Sequence, residues 1–332
     1  MTQRPLIIDC DTGEDDAIAL VLASMAGLPL KYIVTCHGNT SLENATRNSA
    51  DIMSLVGASD VKIIKGAAKA LEPHKLEGEN FTVGEDFIGK NGICNVQLPL
   101  SQYDNILDFG DDKYIEELAN RIRECGPVDY IITGPCTNFA RLCEYFGEEI
   151  KQHINSLTIM GGAVYVTGTR GAGVRNVQHD RDPTKPSDSW AEFNFYCDPK
   201  AIEITLRANL NPLLVTWDIC TRFEVGMDVI QSLQSDTPGG KFVMELMNAF
   251  MQNFGIKNKT HFELCDPLTI MAYMGYGQVN KDAVCIITDR HHFGKSYSDI
   301  GCPEVRYFYA SKAEVPVIIN DMLTKMGIHR TA

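Results

Sequence analysis

Five carboxylates, Asp9, Asp11, Glu14, Asp15 and Asp16, crowd the point where the apolar run Leu6-Ile7-Ile8 enters a turn at Gly13. Like charges this dense repel unless a cation or a shared proton offsets them. Oxygen-only donors suit a hard divalent ion, Ca²⁺ or Mg²⁺, better than zinc. Asp15 and Asp16 also suit a helix N-terminus, where caps and the helix dipole favour anions. That explanation does not reach Asp9 and Asp11, which sit where an apolar strand ends.

Two more segments place polar groups at the ends of apolar runs. Tyr130-Ile131-Ile132-Thr133 leads into Gly134-Pro135-Cys136-Thr137-Asn138, a tight turn whose carbonyls could face a metal. Asn138 there reads as either a cap or a ligand contact. Asp266 stands just before Pro267 and, on its own, reads as a helix cap rather than a ligand. Trp217, beside an apolar strand end, reads as core, and His261 reads as surface.

The elements that must position these groups alternate. Strands are expected at Leu6-Ile8, Tyr32-Thr35, Val61-Ile64, Tyr130-Thr133, Leu157-Met160, Leu213-Thr216 and Val284-Thr288. Helices are expected at Asp15-Met25, Leu42-Val56, Lys113-Glu124, Thr137-Phe146, Pro199-Arg207, Pro267-Gly275 and Ala313-Met326. This pattern predicts an α/β fold, an open, mostly parallel central sheet with helices on both faces. Residues 1–332 read as a single domain with polar loop insertions at about 72–110 and 162–191. In such sheets, ligands bind at the carboxyl ends of the strands, where these loops would gather.

The chain has 332 residues, 44% of them hydrophobic, with 43 acidic and 30 basic side chains, a formal charge of −13. A pI near 5.1 excludes nucleic acid and anionic membranes as partners, because the summed field repels phosphates. No stretch is long and apolar enough for a membrane span, and the N-terminal residues run straight into a strand with no room for a signal peptide. A cytoplasmic protein is expected. Eleven cysteines, an odd number without a C-x-x-C pair, predict reduced thiols rather than a disulfide framework or a zinc site.

Together these segments resemble the inosine-uridine preferring type of nucleoside hydrolase. The family hallmark, D-x-D-P-G-x-D-D-A, is matched from Asp9 to Ala17 with Thr12 in place of proline. The resemblance continues through His37-Gly38-Asn39-Thr40, Asn44, Arg47-Asn48 and Gly66-Ala67-Ala68-Lys69. It recurs at Thr133 to Asn138, Met160-Gly161-Gly162, Ala191-Glu192-Phe193-Asn194, Asp198-Pro199 and Asp266, in family order across residues 5 to 275.

The resemblance implies Ca²⁺ at the base of a ribose pocket. Asp11, Asp16 and Asp266 would ligate it with a backbone carbonyl of Cys136 or Thr137, and Asp9 would orient these ligands from behind. Asp266 thereby turns from cap to ligand. Asp15, Asn39, Glu192 and Asn194 would hold the ribose hydroxyls, and Asn176 would lie near the 5′-hydroxyl. The implied reaction is hydrolysis of the N-glycosidic bond of a ribonucleoside. Asp11 would act as general base on water beside the ion, and free ribose and base would leave without any redox or organic cofactor. Family members form homodimers or homotetramers, so self-association is expected.

The sequence departs from the family where the leaving base is protonated. The usual histidine before the last metal aspartate is Cys265, and a second loop histidine aligns with Ile88. The chain resembles the branch with cysteine at that place, where a thiol of ordinary pKa is a poor acid. Three readings follow: His179 or Asp180 supplies the proton, the leaving group needs none, or ordinary nucleosides are cleaved poorly. Arg170, Arg175, His179 and Arg181 form a local basic cluster, open between solvated loop and contact with an anionic group. Two other classes compete. A haloacid-dehalogenase-like Mg²⁺ phosphatase also opens with D-x-D, but Gly13 stands where it needs Thr or Val, and Asp111-Asp112 come too early for its late acid pair. A non-catalytic nucleoside-binding protein would explain the missing histidines but not the retained Asp11.

Overall fold

Apolar runs bounded by turns become the strands of one large sheet in the computed structural model, which describes residues 4–72, 88–165, 191–254, 261–288 and 294–331. The strands are β1 (Leu6–Cys10), β2 (Leu30–Thr35), β3 (Lys62–Lys65), β4 (Ile106–Leu107), β5 (Val128–Ile132), β6 (Ile154–Met160) and β7 (Leu213–Val215). They continue as β8 (Glu224–Gly226), β9 (Leu233–Ser235), β10 (His261–Glu263), β11 (Gln278–Ile286), β12 (Ser296–Ser298), β13 (Glu304–Tyr309) and β14 (Ile328–Arg330). Ten form one sheet in the order β12-β11-β13-β7-β6-β5-β1-β2-β3-β4. Its pairings from β4 across to β13 are parallel, and only β11 and β12 add antiparallel neighbours at one edge. The expected open, mostly parallel sheet is therefore present.

Among the described residues, eight longer helices accompany it: α1 (Glu14–Met25), α2 (Leu42–Leu55), α3 (Tyr114–Cys125), α4 (Thr137–Phe146), α5 (Pro199–Arg207), α6 (Pro238–Ala249), α7 (Cys265–Tyr273) and α8 (Glu314–Lys325). Alternate residues of β1 feed two cores. Leu6, Ile8 and Cys10 pack with α1, α2, α6, α7 and α8, whereas Ile7 packs with α3, α4 and α5. Burial on both faces explains why these strands read as continuous apolar runs. α1 and α7 lie side by side, and each is buried all round over most of its length. Such helices belong to a core rather than a surface.

The chain places β2, β3 and β4 successively on one side of β1, then returns to put β5 on the other side. This reversal makes a crevice at the carboxyl ends of β1 and β5, the usual place for a ligand in an open α/β sheet.

Several expectations need correction. Cys285 of β11 and Cys302, just before β13, form a disulfide with a Cα–Cα distance of 5.2 Å, so the thiols are not all reduced. The antiparallel return from β11 through β12 to β13 brings the two cysteines face to face, which no spacing in the sequence reveals. The other nine are free. The stretch 72–110 is not only polar loop. Ile88, Ile93, Cys94 and Val96 are buried in the core, and β4 adds a strand to the sheet. Strand β13 and helix α6 were not anticipated, and β11 begins earlier than its apolar part because Gln278 to Lys281 are exposed.

Candidate active site

The acidic cluster is assembled from two helix N-termini and one strand end. Asp11 follows β1, Asp15 and Asp16 occupy the first turn of α1, and Asp266 the first turn of α7. Because α1 packs against α7, donor oxygens of Asp15, Asp16 and Asp266 lie within 4.8 Å of one another. Both helix dipoles present their positive ends to the acids, which favours the ionised state. The N-cap position of α7 is Leu264 and Asp266 lies inside the first turn, so Asp266 is not the capping residue. Asp16 keeps part of its capping role, since Oδ2 accepts from the Gly13 N–H at 2.9 Å, while Oδ1 accepts from the Thr133 hydroxyl at 2.7 Å.

Asp11 is fully buried. Its Oδ2 accepts the backbone N–H of Asn39 at 2.5 Å, and its Oδ1 has no hydrogen-bond partner. Two glycines let backbone approach it closely. A Cβ on Gly38 would collide with the Asp11 carboxylate, and one on Gly134 would stand 2.9 Å from its backbone nitrogen and 3.0 Å from Oδ1. Buried polar atoms are normally paired, so an unpartnered carboxylate oxygen beside three other acids fits a cation. Burial raises the carboxyl pKa of Asp11 and Asp266 well above the usual range, and the neighbouring acids raise both further. Asp15 is pushed up to about 7, first by burial and then by Asp16, and Asp16 is raised mainly by burial. Asp16 acts on Asp11, and Asp15 on Asp266, as a neighbouring like charge. Like charges this close are relieved by a shared proton or by a divalent ion. The all-oxygen donor set fits a hard ion such as Ca²⁺.

Asp9 faces the opposite way, into the α4 side of the sheet. Oδ1 accepts from Asn138 Nδ2 at 2.8 Å and Oδ2 from the Tyr130 hydroxyl at 3.0 Å. Asn138 Nδ2 also donates to the Thr35 carbonyl, and its Oδ1 accepts from the Ala67 N–H. Asn138 is thus a bracket between β1, β2 and the Gly66-Ala67 turn rather than a simple cap. Burial pushes Asp9 up to about 7 against these two donors.

The other expected residues are found at neighbouring strand ends. Asn39 follows β2 and packs against Gly13. The Glu192 carboxylate caps the short helix Phe193–Cys197, accepting backbone N–H groups of Asn194 at 2.8 Å, Phe195 at 3.1 Å and Gly162 at 3.0 Å. Asn194 Nδ2 donates to the Thr133 carbonyl at 2.7 Å, tying the end of β5 to this helix. Cys136 and Thr137 are buried where α4 begins. The Cys136 carbonyl accepts the Ala140 N–H, and the Thr137 hydroxyl donates to Asp198 at 2.7 Å and lies 3.1 Å from His37 Nε2. Asn176, His179, Asp180, Arg170, Arg175 and Arg181 lie outside the described residues.

Cys265 is buried at the start of α7. A hydrogen bond with Cys220, and burial after it, push its thiol well above the usual range. Ile88 is buried in the core. Trp217 packs against the core as expected, and His261 is exposed with Glu224 at 3.7 Å. Sequence reading missed Thr133, Tyr130 and the Gly13 N–H as partners of the acids. Their signal was a hydroxyl or a turn at the end of an apolar strand, which looks like any strand terminus until the sheet order is known.

A family model described as inosine-uridine preferring nucleoside hydrolase matches residues 6–319. The chain belongs to this family, whose members hydrolyse the N-glycosidic bond of ribonucleosides, and it is an N-ribosyl hydrolase. It is 29% identical over 251 residues to a pyrimidine-specific ribonucleoside hydrolase RihA of Photobacterium profundum, covering 75% of this chain and 72% of that protein. Its identity to the RihA of Shewanella sp. strain MR-7 is 30% over 251 residues, covering 75% and 70%. Among solved structures it is similar to a purine-preferring ribonucleoside hydrolase from Gardnerella vaginalis, with a TM-score of 0.79, 22% identity and 98% of each chain covered. An inosine-guanosine nucleoside hydrolase gives a TM-score of 0.77 at 18% identity, with 100% of both chains covered. Among the described residues, no helix is long and apolar enough to cross a membrane.

Proposed function

We propose that the chain hydrolyses ribonucleosides with Ca²⁺ held by Asp11, Asp16, Asp266 and a backbone carbonyl of Cys136 or Thr137. The observation that carries this reading is the buried, unpartnered Oδ1 of Asp11 beside the three-carboxylate cluster. When bound, the ion would supply a Lewis acid that lowers the pKa of an attacking water. Asp11, anchored through Oδ2 by Asn39, takes the proton of that water as general base. Asp15, Asn39 and Asn194 hold the ribose hydroxyls, a polar arrangement that rejects deoxy sugars. Asn176 completes the pocket near the 5′-hydroxyl. Glu192 serves first as the cap that fixes Asn194, and its charge stabilises the ribosyl cation-like transition state from that position. Cys265 sits beside the leaving base, and its raised pKa makes it a poor donor. We read residues 1–332 as one domain that works in the cytoplasm as a homodimer or homotetramer.

The test is a panel of ribonucleosides, deoxyribonucleosides and nicotinamide riboside assayed for released sugar, with a chelator arm and Ca²⁺ add-back. Ribose release that stops with chelator and returns with Ca²⁺ supports the reading. Tight binding of nucleosides without any sugar release sinks it.

A further inference from the structure

We propose that Asp218 is a positioning residue for the ribose side of the site, where it holds the glycine turn against which Glu192 is fixed. The inference rests on the ribonucleoside reading and adds a residue to it. Strand register brings the two segments together. β6 and β7 are parallel neighbours with Met160 paired to Val215, so the residues that leave the two strands start level. The Gly161 N–H donates to the Val215 carbonyl at 3.1 Å, and the Trp217 N–H donates to the Gly162 carbonyl at 2.8 Å. Asp218, next along, meets the chain beyond Gly162. Its Oδ2 accepts the Val164 N–H at 2.9 Å and its Oδ1 accepts the Tyr165 N–H at 2.8 Å. Among the described residues it makes no ion pair, so no cation competes with these two amides for its charge.

The turn requires such a hold. Gly162 has φ of 85°, and the Phe195 ring leaves no room for a side chain. A Cβ would stand 2.4 Å from that ring on Gly161 and 2.8 Å from it on Gly162. Glycine is therefore needed at both positions, and its backbone is the least restrained by its own sterics. The restraint comes from side-chain acceptors on successive N–H groups. Gly162 donates to Glu192 Oε2 at 3.0 Å, Ala163 to Ser296 Oγ at 2.9 Å, and Val164 and Tyr165 to Asp218. Bonds to an ionised acceptor are the stronger kind, so Asp218 is the firmest anchor of the stretch beyond Gly162.

The link to the sugar runs through Glu192. Its Oε2 is shared between the Gly162 and Phe195 N–H groups, and its Oε1 accepts the Asn194 N–H. With Val164 and Tyr165 released, the Gly161-Gly162 turn is free to rotate. Glu192 then loses the Gly162 donor, and Asn194 loses the fixed carboxylate beside it. Asp218 touches neither sugar nor metal in this account and acts through the backbone alone.

Asp218→Asn keeps the shape but offers one acceptor oxygen in place of two, and its NH₂ group would face an N–H. Asp218→Ala keeps neither bond. Both variants and the wild type are assayed for sugar release from uridine and inosine and from their 2′-, 3′- and 5′-deoxy analogues. For at least one hydroxyl, the rate penalty for its removal should shrink about tenfold or more in Asp218→Asn and further in Asp218→Ala, the size expected for hydrogen bonds to a charged group. The matching deoxy analogue should be cleaved at nearly the wild-type rate, because it has no hydroxyl to misplace. A merely structural role would lower all rates together and leave every penalty unchanged. Equal loss on parents and analogues, unchanged penalties in both variants, or loss of the native circular dichroism in both overturns the proposal and leaves the hydrolase reading in place. A wild-type chain that releases no sugar from any of these nucleosides overturns that reading and this inference with it.

Discussion

The backbone N–H of Asn39 donates to one oxygen of Asp11 and leaves the other buried without a partner. A carboxylate held in this way has its orientation fixed by one residue and its remaining acceptor reserved. The contact also couples two strand ends, since Asp11 follows β1 and Asn39 follows β2. Asparagine at position 39 thus contributes its backbone to Asp11, while its side chain lies against Gly13.

Replacing Asp11 by Asn preserves the shape and the contact with Asn39 but removes the charge. We expect kcat to fall about a thousandfold, about 4 kcal/mol of barrier, with unchanged circular dichroism. Steady-state ribose release checks it, and a loss under tenfold would remove Asp11 from the role of base.

The metal-free protein should lose stability as pH rises. Burial holds Asp9 and Asp15 protonated up to about 7 in the folded state, against an ordinary carboxylate value of 3.8. The folded chain therefore binds more protons than the unfolded chain between about pH 4 and 7, and stability falls with pH across that window. Ca²⁺ acts in the opposite direction, because it favours the ionised acids. Urea unfolding at pH 5 and pH 7.5, with chelator or Ca²⁺, should show a stabilisation by the ion that is larger at pH 7.5.

Cys265→Ala should change kcat by less than tenfold, under about 1.4 kcal/mol. The thiol is hydrogen-bonded to Cys220 and, with burial, this pushes its pKa well above the usual range, which makes it a poor acid for the leaving base. A thousandfold drop in single-turnover rate would show that it acts directly on the leaving base.

Thr12→Pro would restore the family motif and is nevertheless expected to harm this chain. Thr12 has φ of 22°, and a proline ring fixes φ near −65°. The substitution also removes the 2.8 Å contact between the Thr12 and Ser49 hydroxyls. We expect a loss of about 1–3 kcal/mol, read from the urea midpoint. An unchanged midpoint would mean that the turn adapts freely.

Much of this was legible before any fold was known. Asp9 and Asp11 stood out because acids at the end of an apolar strand have no local explanation. The helices at Thr137 and Pro199 were readable to the residue, because a turn or a proline marks each start. Asp266 was ambiguous, since one acid before a proline looks like a cap, and only the packing of α7 against α1 sets it beside Asp15 and Asp16. Tyr130 was hidden for a similar reason. It reads as a strand residue, and its hydroxyl meets Asp9 only because β5 neighbours β1. The Cys285–Cys302 disulfide depended on an antiparallel return whose first strand begins with exposed polar residues.

The three-carboxylate cluster draws on the first helix of the chain and on one near its end. Domains emerge from the ribosome N-terminus first, so β1 and α1 are made long before α7. A nascent chain that has not yet released Asp266 carries Asp15 and Asp16 without the third member of the cluster. Truncated products therefore carry an incomplete cluster even where the strands around β1 have formed. Closure of the α1–α7 contact is the step that brings the three acids together, and it can come only after α7 has been made.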